Sequence, residues 1–230
     1  MRIGTRASAL ALAQAELVVG ALKEGEVVPI LTSGDRGAEA ADKSRWVAEL
    51  EQALMRGDID LAVHSAKDLP GELAEGSSLV GAPRRAAAED ALCGARALEE
   101  LAPGARVGTS SVRRAAQLRA AREDLQVVPI SGNVDTRLRK LASADGGELA
   151  AIVLARAGLQ RLGREREIGA VLDPERFVPA PGQGALALQA RTADARVKRA
   201  VAAISDEDSL ACLLAERSLA RELSASCHTP

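Results

Sequence analysis

The chain has 230 residues, enough for two compact domains or one large one. Its 47% hydrophobic content argues against disorder. A formal net charge of −2, with Trp46 and Phe177 the only aromatics, excludes a globally basic nucleic-acid binder with base-stacking platforms. Cys93, Cys212 and Cys227 have no paired spacing, and only two histidines are present, which argues against a metal site or a disulfide framework. No apolar run is long enough to span a membrane, and no signal peptide precedes Met1-Arg2-Ile3, so a cytoplasmic protein is expected.

In chain order, Arg2–Thr5 reads as a strand, and Ser8 is a suitable N-cap for a helix over Ala9–Lys23 with Leu10, Ala13, Leu17 and Ala21 facing in. Val27–Leu31 reads as a strand and Gly37–Lys43 as a surface loop. Trp46–Arg56 reads as an amphipathic helix with Trp46, Leu50, Ala53 and Leu54 inward, and Ile59–Val63 as a buried strand. This β-α-β-α-β order predicts a mostly parallel sheet. Leu79–Arg85 is a further strand, and Arg84–Asp90 is a polar crossing between lobes. A second unit of the same pattern follows. Strands at Arg106–Gly108, Val127–Ile130 and Ala151–Leu154 lead into helices at Val112–Arg122, Val134–Ala142 and a turn from Gly158 to Leu162. Val178–Gly184 is a second crossing, and Ala185–Gln189 is a strand returning to the first sheet. Ser205–Leu223 is a helix with Leu210, Leu213, Leu214 and Leu219 on its stripe. Two α/β lobes joined by two crossings predict a hinged, binding-protein-like architecture with a ligand cleft.

The chemistry gathers at strand ends. Asp68 is the only acid in the turn after the Ile59–Val63 strand, where parallel-sheet enzymes place reacting groups. Arg6, Lys67, Arg113, Arg114, Arg137 and Arg161 each follow a predicted strand or open the helix behind it. Taken singly each is a solvated cation; six at one kind of junction favour a site for a polyanion, for which the arginine fork suits planar carboxylates. Thr109, Ser110 and Ser111 add hydroxyl donors. His64 reads as a hydrogen-bonded core histidine, and Cys93 and Cys212 as inert core thiols, whereas Cys227 lies in a small polar loop and is a candidate reactive thiol.

These residues stand in long motifs: GTRASALALAQA at the start, TSGD at Thr32–Asp35, AVHSAKDLP around Asp68, then VGTSSVRRAAQL, GNVDTRLRKL, AGLQRLG, PAPGQGAL and LAERSLARELSASCHTP. With these motifs in this order from residue 2 to 230, the chain resembles the porphobilinogen deaminase (hydroxymethylbilane synthase) family. The resemblance implies a transferase that joins four porphobilinogen units head to tail, releases ammonia each time, and yields hydroxymethylbilane. It implies a covalent dipyrromethane cofactor on Cys227 and Asp68 as the catalytic aspartate, stabilising cationic pyrrole and azafulvene character. It assigns Ser65, Lys67, Ser111, Arg113, Arg114 and Arg137 to the cofactor, and Arg6, Ser8, Gln14, Lys43 and Arg161 to the substrate. Cysteine and histidine usage, charge and the missing aromatics and apolar runs give the expectation of no metal and no nucleic-acid or membrane partner, and a monomer is expected.

The implied fold is α/β: two hinged periplasmic-binding-protein-like lobes with mostly parallel sheets and the start of a third small α+β domain. Residues 1–86 and 180–202 form the catalytic lobe, 87–179 the arginine-rich lobe, and 203–230 the start of the cofactor-carrying domain. The chain departs from the family pattern in three places. Ser131 stands where the family carries arginine before Gly-Asn-Val, and ADKSRW replaces a glycine-rich run. The chain also stops three residues after Cys227, which leaves open a fragment with no turnover or a non-catalytic polycarboxylate-binding module. The nearest sequence candidates to replace the cation lost at Ser131 are Arg139 and, preferably, Arg156.

Overall fold

The computed structural model describes residues 1–32, 44–143 and 149–223, and the side chains of these except at 44–46. The Gly37–Lys43 loop and the Trp46 side chain, both part of the sequence reading, lie outside the described residues. The chain runs β1 (Arg2–Arg6), α1 (Ala9–Leu22), β2 (Glu26–Ile30), α2 (Ser44–Arg56), β3 (Leu61–Ser65), β4 (Ser77–Gly81) and β5 (Asp90–Cys93). It continues through β6 (Arg106–Gly108), α3 (Val112–Ala121), β7 (Gln126–Val128), α4 (Val134–Ala142), β8 (Ala151–Ala155), α5 (Arg156–Arg161) and β9 (Ala170–Val171). It closes with β10 (Leu186–Arg191), α6 (Ala195–Ala202) and α7 (Glu207–Glu222).

The described residues form two compact units, Met1–Ala86 with 184–223, and Ala87–Gln183. The first holds a sheet of order β2-β1-β3-β10-β4, the second one of order β7-β6-β8-β5-β9. In the first, β1 pairs in parallel with β2 and β3, and β10 runs antiparallel to both β3 and β4. In the second, β6 pairs in parallel with β7 and β8, and β5 runs antiparallel to β8 and β9. Both sheets are therefore mixed but mostly parallel: in each, four strands run one way and a single strand runs against them. The antiparallel member is in each case the strand that follows a chain crossing: β5 after the first, β10 after the second.

Each sheet is covered on both faces, which is why β3 and β8 read as unbroken apolar runs. On one face of the first sheet Ile3, Val63 and Leu188 pack with Ala15 and Val18 of α1 and with Val197 and Val201 of α6. On the other, Ala62 packs with Leu50, Ala53 and Leu54 of α2, and Ala187 with Leu213 of α7. In the second sheet Val107 and Val153 meet Leu118 of α3, while Ile152 and Leu154 meet Leu138 of α4 and Leu159 of α5.

Several expectations shift. Helix α1 buries Gln14, Ala15 and Val18 and leaves Leu17 55% exposed, because ALALAQAELVVGAL is apolar nearly all round and cannot set its own phase. On α7 only Leu213 of the expected stripe is fully buried; Leu214 and Leu219 are exposed, and so is Cys212, which is not a core thiol. Cys93 is buried, and burial pushes its thiol up to about 12. Strand β3 lies two residues later than read and β4 ends at Gly81, while β5, β9 and α6 are additions. Asp90, read as part of a polar crossing, is a fully buried strand residue.

Candidate active site

In the first unit β1 and β3 are parallel neighbours, so Arg6 and the segment after Ser65 emerge at one edge. A single turn of 3-10 helix, Ala66–Asp68, follows β3 at once. It is held by the Ala66 amide donating to Ala185 O at 3.1 Å and the Leu69 amide to Ala66 O at 3.2 Å. Arg217 of α7 donates from Nη2 to the carbonyls of Pro70 at 2.8 Å and Gly71 at 3.0 Å, clamping the chain just past Asp68. A pocket of about 80 Å³ opens at this edge, with Asp68, Arg6, Ser8, Gln14, His64 and Ser65 among its walls. Ser8 caps α1, its Oγ accepting from the Ala11 amide at 3.3 Å. Ser65 Oγ donates to Gln14 Oε1 at 3.0 Å, which joins β3 to α1 at the pocket. His64 is buried with Nε2 2.9 Å from Gln189 Oε1, and burial drives its pKa down to about 4, so the imidazole is neutral near pH 7.

In the second unit β6, β7 and β8 are parallel, so Ser111, Ser131 and Arg156 follow strand ends at one edge. Ser111 caps α3, with Oγ accepting from the Arg114 amide at 3.4 Å. Arg113 and Arg114 both bind Asp90: Arg113 Nη2 reaches Oδ2 at 2.8 Å, and Arg114 Nε and Nη2 reach Oδ1 at 3.0 and 2.7 Å. Burial alone would raise the Asp90 pKa; Arg114, then Arg113, outweigh it and hold the carboxyl below its ordinary value. Arg137, on the first turns of α4, donates from Nε to Gly132 O at 2.8 Å. Gly132 has φ of +108°, a backbone that a side chain rarely adopts, and this turn delivers Asn133 as the cap of α4. Burial lowers the Arg161 pKa to about 10, which leaves the guanidinium charged at neutral pH.

The described site residues thus fall into a carboxylate pocket in one unit and, in the other, Arg113 and Arg114 on Asp90, Arg137 on α4 and Arg161 at the end of α5. Lys67 sits in the turn beside Asp68. Lys43 and Cys227 lie outside the described residues. The sequence reading did not anticipate Asp90, Gln183 or Arg217, or the place of His64 in the pocket wall. Asp90 read as the end of a polar crossing between lobes, and only the buried strand pairing reveals otherwise. Among the described residues no group of three or more His, Cys, Asp or Glu could hold a metal ion, and no helix is long and apolar enough to cross a membrane.

An α/β chain with two such sheets has the fold of the periplasmic binding proteins. It is similar to a periplasmic substrate-binding protein of an ABC transporter from Coxiella burnetii (TM-score 0.51, 14% identity, 94% of this chain and 96% of that one). It is also similar to the methionine binding protein MetQ (TM-score 0.54, 15% identity, 95% of each chain). Sequence relationship goes further than fold. The family model described as "Porphobilinogen deaminase, dipyromethane cofactor binding domain" matches residues 1–199. The porphobilinogen deaminase of Xanthomonas oryzae pv. oryzae (strain KACC10331 / KXO85) is 46% identical over 243 residues, covering 100% of this chain and 79% of the relative. That of Deinococcus radiodurans is 46% identical over 244 residues, covering 99% and 78%. The chain belongs to the porphobilinogen deaminase family.

Proposed function

We propose that the chain binds porphobilinogen and joins four such units head to tail with release of four ammonia molecules, one water then freeing the product as hydroxymethylbilane, with Asp68 as the catalytic carboxylate. As a member of its family it is a transferase of tetrapyrrole biosynthesis. The observation that carries the residue assignment is the Asp68 pocket: a carboxylate at a strand end, walled by Arg6, Ser8 and Ser65.

The side chains fit a ligand of linked pyrroles, each bearing two carboxylates. Arg6 and Ser8 supply donors beside Asp68, and the Arg113, Arg137 and Arg161 guanidiniums supply cations in the second unit. When bound, the dipyrromethane supplies the nucleophilic pyrrole to which the first unit is added. Cys227 would hold it as a thioether. The Asp68 carboxylate stabilises positive charge developing on the substrate pyrrole as ammonia departs, and it accepts a hydrogen bond from the pyrrole N–H. Gln14 and Ser65 fix that wall of the pocket, so the carboxylate does not have to reorganise during the reaction.

In this reading residues 1–86 and 180–202 carry the catalytic carboxylate and 87–179 the arginines. The segment 203–230 opens the part that carries Cys227. A monomer in the cytoplasm, with no nucleic-acid or membrane partner, completes the proposal. Intact mass of the purified chain, with and without porphobilinogen, tests it. Covalent addition of pyrrole units is expected with the native chain, and addition slowed by roughly two or more orders of magnitude with Asp68→Asn. Stepwise addition by Asp68→Asn at the native rate would assign the chemistry to another group.

A further inference from the structure

Helix α7 is fastened at two places within the first unit. At its start the Asp206 amide donates to Ala82 O at 2.8 Å, Ser205 Oγ accepts from the Ala82 amide at 3.1 Å, and Ser209 Oγ accepts from the Arg85 amide at 2.8 Å. Further along, the Glu216 carboxylate accepts from both Nη atoms of Arg85, with Nη2 at 3.1 Å. These bonds hold the helix on residues 82–85, the stretch that leaves β4 for the first crossing. Leu213 and Arg217, four residues apart and so on one face, meet the turn after β3. Leu213 is wholly buried in a cluster with Ala66 and Leu69, and Arg217 Nη2 donates to Pro70 O at 2.8 Å and Gly71 O at 3.0 Å. One turn on, Arg221 Nε stands 3.9 Å from Glu72 Oε1.

Arg217 is a half-buried cation whose hydrogen bonds, among the described residues, go only to those two carbonyls. Burial, and then Arg221, lower its pKa against a raising effect of Glu72. An apolar contact such as that of Leu213 would suffice to cover the turn. A charged donor adds stiffness, because its hydrogen bonds are shorter and stronger than neutral ones. The carbonyls it holds follow Asp68 closely, and just before Asp68 the Ala66 amide is held by Ala185 O at 3.1 Å. Asp68 therefore sits between two fixed points. Arg217 lowers the pKa of His64 and Asp68 raises it, so both charges act on the same ring in the pocket wall.

We propose that Arg217 is a positioning residue for the Asp68 carboxylate: by holding Pro70 O and Gly71 O to α7 it keeps that carboxylate where positive charge develops on the substrate pyrrole. The proposal rests on the reading of Asp68 as the catalytic carboxylate and adds what holds it in place. A carboxylate stabilises a developing charge best when it need not reorganise, so a slack turn costs rate more than binding. Because one nitrogen reaches both carbonyls, a lysine ammonium can take its place and a methionine cannot.

Single-turnover addition of porphobilinogen by the full chain, followed by rapid-quench mass spectrometry, is read beside affinity from calorimetry. Arg217→Met is expected to slow addition about tenfold or more while affinity changes less than about twofold. Arg217→Lys is expected to recover most of the rate, and Arg217→Gln, which keeps a neutral donor, to lie between the two. In an Asp68→Asn background Arg217→Met is expected to cost less than about twofold, since its effect runs through the carboxylate. Equal slowing in both backgrounds, a loss confined to affinity, or the native rate in a folded Arg217→Met would overturn the proposal. If Arg217→Met does not fold, the native rate in Arg217→Gln overturns it on the same ground. Any of these results with Asp68→Asn still slow overturns the proposal alone. Native-rate addition by Asp68→Asn, or no addition by the native chain, overturns the Asp68 reading and the proposal with it.

Discussion

His64 Nε2 lies 2.9 Å from Gln189 Oε1, and this contact sets the tautomer of a histidine in the wall of the Asp68 pocket. The Gln189 amide cannot be turned around. Its Nε2 donates to Glu51 Oε1 and Ser77 Oγ, both at 2.8 Å, and the same Glu51 oxygen accepts from the Ala74 amide at 2.9 Å. Gln189 Oε1 therefore faces the imidazole and accepts, so the proton of the neutral ring sits on Nε2 and Nδ1 is an acceptor.

Stability is expected to fall with acid because of that buried ring. The folded pKa is depressed, mainly by burial and further by Arg217, from 6.5 to about 4, against raising effects of Gln189 and Asp68. The contribution is fully present above pH 6.5 and is lost as pH falls towards 4, because the unfolded chain takes up the proton first. The loss amounts to about 3 kcal/mol. His64→Gln keeps a donor for Gln189 and should flatten the urea-midpoint profile across that window. The loss tied to Asp90, whose folded pKa is lowered below 3.8, should remain at lower pH. A native midpoint that does not move between pH 6.5 and 4 would refute the assignment.

Asp68→Asn preserves shape and removes the charge. Porphobilinogen should still bind, while single-turnover addition should slow by roughly two or more orders of magnitude, the scale for a central electrostatic group. Calorimetry and rapid-quench mass spectrometry separate the two effects. A loss confined to binding would make Asp68 a ligand and not a catalytic group.

The three thiols should separate cleanly. Cys212 is exposed and should be alkylated in the folded chain, whereas Cys93, fully buried with a raised pKa, should react only on unfolding. The mass of two linked pyrroles should survive Cys212→Ser and vanish in Cys227→Ser. Retention of that mass in Cys227→Ser would refute attachment there.

At Ser131 the structure brings a different cation from the two expected. Arg156 Nη1 is taken by Glu89 at 3.0 Å and Arg139 Nη2 reaches Thr136 Oγ1 at 3.3 Å, while Lys140 Nζ stands 3.1 Å from Ser131 O and 3.3 Å from Ser131 Oγ. Lys140→Met should therefore weaken porphobilinogen binding more than Arg156→Ala does. A charged hydrogen bond contributes about 1.5–3 kcal/mol, so the loss should be tenfold or greater. Ser131→Arg should recover much of it; equal effects of the two removals would sink the Lys140 assignment.

Backbone packing offers a test independent of function. A Cβ on Gly169 would stand 2.0 Å from Ala95 O, and the Gly169 amide is itself committed to Leu92 O at 2.9 Å. Gly169→Ala should cost at least about 2 kcal/mol in urea unfolding. Gly20, on α1 with nothing within 4 Å of a built Cβ, should instead gain about 0.5–1 kcal/mol as alanine. The opposite ordering would contradict the packing around β5.

The sequence by itself determined the local structure and the family. Motifs near strand ends located Asp68, Ser111 and Arg113, and Ser8 announced α1, because caps and strand-to-turn transitions are written in neighbouring residues. What it could not determine is carried by partners far apart in the chain. His64 and Gln189 are 125 residues apart, Arg114 and Gln183 are 69 apart, and Arg217 reaches Pro70 across 147. The phase of α1, apolar nearly all round, was decided by the sheet it covers. Asp90, read as part of a polar crossing, is a core residue because β5 is buried between β8 and β9, and a charge enters a core only when its counter-charges arrive from elsewhere in the fold.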